Sequence, residues 1–148
     1  MAKASRETRR AQRLLLDALR TPEQLSALPP ADWELLLRVG RRVRLLGRIE
    51  SDLSRAGLLE NIPPRAAAHL RAARNVIEHR KTLVSWEVNR ILWALKGIGG
   101  PLILLKGSGY LLAGLPPARG RIFADVDLLV PEDRVEEVEN RLLERGWF

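Results

Sequence analysis

Two short stretches of this chain carry residues whose types and spacing could do phosphate chemistry. The first is Lys106-Gly107-Ser108, which follows the apolar run Leu102 to Leu105. A glycine where a strand turns into a helix lets backbone approach a phosphate closely, the helix start presents free N–H groups, and a serine hydroxyl adds a donor. The order is not that of a Walker A loop, which needs Gly-x4-Gly-Lys-Ser. The second is Asp125-Val126-Asp127, inside the apolar run Ile122 to Val130. Strand periodicity sets the two carboxylates on one face, about 7 Å apart, with Val126 and Leu128 facing the core. Neighbouring carboxylates repel unless a cation sits between them, and Mg²⁺ completed by phosphate oxygens suits that pattern. Taken singly, each stretch has a plain structural reading: a strand-to-helix turn, or two acids at a strand end that are solvated or paired with Arg119 and Arg121. In this order, each on its own strand, they point together to a metal–phosphate site.

The elements that must position these residues are mostly helical. An amphipathic helix is expected over Ser5 to Leu19, with Leu14, Leu15, Ala18 and Leu19 along its apolar edge, and Glu7 and Asp17 argue against a transit peptide. A short helix follows from Pro22 to Leu28. Asp32 fits an N-cap for one long helix reaching Arg55, whose apolar positions Trp33, Leu36, Leu37, Gly40, Val43, Leu46 and Leu53 recur at helical spacing. Gly57 and Ile62-Pro63-Pro64 punctuate the chain. A longer helix from Pro64 to Lys96 carries the stripe Leu70, Ala73, Ile77, Val84, Val88, Ile91 and Leu95, and Trp86 and Trp93 read as packing residues. His69 and His79, ten apart, point to different helix faces and cannot share a metal. Gly97, Gly99, Gly100 and Pro101 end the helical region. Strand Leu102–Leu105, a short helix from Ser108 to Ala113, strand Ile122–Val130, a helix from Pro131 to Glu144 and a Gly146 C-cap complete the order.

Composition narrows the classes. At 148 residues and 46% hydrophobic the chain can bury a core. The absence of cysteine excludes disulfides, zinc–thiolate sites and thiol catalysis, and suits a reducing cytoplasm. No apolar run reaches the roughly 18 residues that span a bilayer, because Glu87, Asn89 and Arg90 interrupt Leu83 to Leu95, so no membrane partner is expected. The net charge of +7 is spread as arginine over several helices. It reads as a solvated surface or as a phosphate-facing patch. A nucleic-acid partner is the weaker alternative, since acids at a strand edge repel a phosphate backbone without metal.

A strand, a Gly-Ser helix start and a strand bearing Asp-x-Asp resemble the nucleotidyltransferase superfamily of polymerase-β-like folds. Leu105-Lys106-Gly107, with Arg121 four residues before Asp125-Val126-Asp127-Leu128-Leu129-Val130-Pro131, looks more specifically like the bacterial "uncharacterised nucleotidyltransferase" family. Asp32-Trp33, Ile62-Pro63 and Gly97-Ile98 extend the likeness upstream. The resemblance implies an α+β fold: a helical region over residues 1–96, then a partial nucleotidyltransferase core over residues 97–148 with a short mixed sheet. It implies that Gly107 and Ser108 hold a triphosphate, that Asp125 and Asp127 are the catalytic, Mg²⁺-binding residues, and that Lys106 and Arg121 contact phosphates. The activity implied is Mg²⁺-dependent transfer of a nucleotidyl group from an NTP to an unknown acceptor. The superfamily also places a third carboxylate on the next strand. This sequence ends at Trp147-Phe148 as that strand would begin, and Glu132 and Asp133 are poor substitutes. The expectation is therefore a C-terminally truncated member, with a non-catalytic nucleotide-binding or helical interaction protein as the alternative.

Overall fold

The computed structural model describes the backbone of residues 2–148 and the side chains of residues 6–148. Helices dominate and one small antiparallel sheet accompanies them, an α+β fold. The chain forms two compact units. One runs through Glu78 and includes Arg119–Ile122; the other comprises His79–Ala118 and Phe123–Phe148. No helix among the described residues is long and apolar enough to cross a membrane.

The first unit contains α1 (Ala2–Arg20), α2 (Pro30–Arg42), α3 (Leu46–Arg55) and the beginning of α4 (Pro64–Ala94). Its core joins Ala18 of α1, Trp33 and Leu36 of α2, Leu46, Ile49 and Leu53 of α3, and Ala66 and Leu70 of α4. These are the i, i+3, i+4 positions of each helix, and burying each leucine or isoleucine contributes about 1.5–3 kcal/mol.

The single helix expected from Asp32 to Arg55 is broken in two. At the end of α2, Arg44 takes the left-handed conformation at φ 59°. Its N–H donates to Arg41 O at 3.2 Å while Leu45 N–H reaches back to Gly40 O at 2.8 Å. This is the hydrogen-bond pattern of a Schellman ending, with arginine where glycine is usual. A left-handed arginine costs about 1–2 kcal/mol. The turn offsets this by docking Leu46 onto Gly40, where a Cβ would come within 2.7 Å of Leu46 Cδ2, and by burying Leu46 and Ile49. Asp32 does not cap α2, which begins two residues earlier at Pro30. Its carboxylate sits in the first turn, where it complements the helix dipole and meets Arg10 at 2.6 Å.

In the second unit, Val84 and Val88 of α4 pack with Ala118 and Phe123, while Ile91 and Leu95 pack with Val138 of α6 (Val135–Glu144). The sheet pairs β1 (Ile103–Leu105) with β2 (Asp127–Leu129), and α5 (Lys106–Leu112) follows β1 directly. Among the described residues the strands form an antiparallel pair, not a mixed sheet, and β2 is shorter than the expected Ile122–Val130. The cause is β1, which turns into α5 at Lys106 and so offers three residues for pairing. Trp86 and Trp93 are exposed rather than packed in a core. Arginines cover them: the Arg90 guanidinium lies 4.8 Å from the Trp86 ring and 4.3 Å from that of Trp147, and Arg145 lies 4.4 Å from Trp93. Cations on indole faces are favourable even when partly solvated.

Candidate functional site

The two motif stretches meet through strand register. Leu105 stands opposite Asp127, so the residue that leaves β1 begins its turn beside the first residue of β2. Lys106 Nζ lies 3.0 Å from Asp127 Oδ1. Lys106 has φ 49°, one of two non-glycine residues with positive φ among those described. A left-handed non-glycine residue costs about 1–3 kcal/mol, and such strain concentrates at functional sites. Here it reverses the backbone from β1 into α5 at the residue whose ammonium meets the carboxylate.

Close packing accounts for the glycines. A Cβ at Gly107 would come within 2.4 Å of the ring of Phe123, which is buried. A Cβ on Gly109 would meet the Leu104 carbonyl oxygen at 2.6 Å. Gly109 was not among the expected site residues, although Gly-Ser-Gly at alternate positions is a readable sign of a helix pressed against its own strand. Ser108 is fully buried, and its hydroxyl donates to Leu105 O at 3.1 Å. That single proton is therefore engaged within the turn rather than presented to a phosphate. Ser108→Ala is expected to lower the urea midpoint by an amount equivalent to about 1 kcal/mol, the worth of one such bond.

Asp127 is half-buried, whereas Asp125 is exposed, with no ion-pair partner among the described residues, in the extended segment before β2. Arg121 belongs to Arg119–Ile122, which folds with the first unit, while Lys106, Asp125 and Asp127 belong to the second. Hard carboxylate oxygens suit Mg²⁺, and Asp127 already holds a cation in the form of the Lys106 ammonium. No group of three or more His, Cys, Asp or Glu side chains clusters as a metal site among the described residues. Two carboxylates completed by phosphate oxygens and water remain a sufficient donor set for Mg²⁺.

A helical unit, and beside it in the chain a strand–turn–helix whose lysine meets the first residue of the second strand, make an α+β protein. Residues 29–148 match the family model described as "Uncharacterised nucleotidyltransferase". The chain belongs to that family, and with it to the transferases of nucleotidyltransferase-like function. No curated protein and no solved structure matches the chain.

Proposed function

We propose that the chain binds an NTP with Mg²⁺ and transfers a nucleotidyl group to an acceptor, through Asp125 and Asp127 as metal ligands and Lys106, Gly107 and Ser108 on the nucleotide side. The observation that supports this reading is the 3.0 Å pair between Lys106 Nζ and Asp127 Oδ1, an ammonium and a carboxylate side by side at the strand-to-helix turn. Bound Mg²⁺ would supply Lewis-acid stabilisation of charge on the transferred phosphoryl group and on pyrophosphate. With Asp127 so occupied, the Lys106 ammonium would be available to phosphate oxygens. Gly107 and Ser108 contribute main-chain N–H groups at the first turn of α5, and the Ser108 hydroxyl holds that turn in shape.

Calorimetric titration with each of the four NTPs tests the reading. At least one should bind in Mg²⁺ and bind tenfold or more weakly in EDTA, and equal affinity in both buffers would rule out a metal-coupled site. The second reading is a nucleotide-binding or helical interaction protein without turnover. Metal-dependent NTP binding with no pyrophosphate release across a panel of sugar-phosphate, nucleic-acid and protein acceptors would support it.

A further inference from the structure

We propose that the first unit carries a separate binding site, for a phosphomonoester bearing a compact apolar or aromatic group, in the cleft between α2 and the start of α4. The cleft has a volume of about 570 Å³, within the range of about 300–1,000 Å³ usual for small-molecule sites. Helical spacing builds its walls. On α2, Glu34, Arg38 and Arg41 recur at i, i+4, i+7, and on α4 Arg65 and His69 recur at i, i+4, while Trp33, Leu37 and Ala66 supply an apolar lining.

The arginines of this unit differ in their partners. Arg10, Arg38, Arg48, Arg71 and Arg74 each meet a carboxylate. Arg41 and Arg65, which both line the cleft, have no carboxylate at ion-pair distance among the described residues. Arg41 Nη2 lies 3.4 Å from His69 Nδ1. A guanidinium only donates, so Nδ1 accepts and Nε2 carries the proton as a further donor. Trp33, which also lines the cleft, is 3% exposed. Two guanidinium forks and an imidazole N–H together suit the three terminal oxygens of a phosphate better than the two of a carboxylate. Glu34 is the one acid on the lining. It disfavours an extended polyphosphate, and the concave apolar lining suits a compact group over a nucleic-acid backbone. This site does not depend on the nucleotidyl-transfer reading.

Phenyl phosphate is the probe, titrated by calorimetry into the whole chain in EDTA. It should bind at least tenfold more tightly than inorganic phosphate or benzoate. Arg41→Gln with Arg65→Gln should weaken it at least tenfold with an unchanged circular dichroism spectrum, since both side chains are exposed and neither meets a carboxylate among the described residues. Asp125→Asn with Asp127→Asn should leave it unchanged. Benzoate binding as tightly as phenyl phosphate, or affinity indifferent to the arginine substitutions, would overturn the proposal. So would a 20-nucleotide single-stranded RNA whose binding is lost in the arginine variant and is not displaced by phenyl phosphate.

Discussion

Asp125→Asn combined with Asp127→Asn is expected to abolish Mg²⁺-dependent NTP binding while leaving the fold intact. The substitutions keep side-chain shape and remove two negative charges, so a carboxylate-held metal loses its ligands. The expected loss in calorimetry is about a hundredfold or more in Kd, or roughly 2.7 kcal/mol. Stability should barely change. Asp125 is exposed, and Asp127 pairs with a lysine that is 73% exposed, the kind of surface ion pair that contributes about 0–1 kcal/mol. The EDTA control gives the experiment its edge. Without metal, the two carboxylates only repel the triphosphate and hold Lys106 away from it, so the double variant should bind NTP in EDTA as well as the parent chain or slightly better. A variant that keeps its Mg²⁺-dependent affinity, or loses affinity equally in both buffers, would remove the metal-ligand role.

The second large effect is expected at Gly120. This residue and Gly114 share φ 64°, yet their surroundings differ completely. A Cβ at Gly114 would meet nothing within 4 Å, whereas at Gly120 it would fall 2.4 Å from Gly47 O and 2.5 Å from both Arg48 Cα and Arg48 N. All three are main-chain atoms of α3, which cannot swing aside as the end of a side chain can. Gly114→Ala should therefore cost only the left-handed strain, about 1 kcal/mol. Gly120→Ala adds overpacking against α3 and should cost about 3 kcal/mol or more. Urea unfolding followed by circular dichroism compares the two, and equal losses would show that strain, not close approach, makes Gly120 necessary. Gly47 is tight from the other side as well, since its own Cβ would lie 1.8 Å from Ile77 Cδ1.

Much of the candidate site was legible because its parts are local. Lys106-Gly107 marks a strand-to-helix turn, and Asp125-Val126-Asp127 marks an extended segment, by rules that act over a few residues. The pairing of Leu105 with Asp127 brings Lys106 to within 3.0 Å of a carboxylate 21 positions away, a contact that no local rule supplies. The Ser108 hydroxyl misled for a related reason. Its sequence neighbours suit a phosphate donor, but the nearest acceptor in space is the Leu105 carbonyl at the end of its own strand.

The sequence by itself determined the long α4 stripe: Leu70, Ile77, Val84, Val88 and Ile91 are all buried, since a 3.6-residue period leaves one face to shield from water. It also determined that α3 ends before Gly57, where the left-handed φ of 69° carries no Cβ penalty. Tertiary structure alone decided the break at Arg44 and the exposure of Trp86 and Trp93. Arg44 adopts the same left-handed turn against its own preference, because Leu46 and Ile49 reach the first unit's core only if the chain turns there, and that burial outweighs the local strain. The indoles stay outside because Arg90 and Arg145 cover their faces, and the helical period that places a side chain on a face does not say what will meet it there.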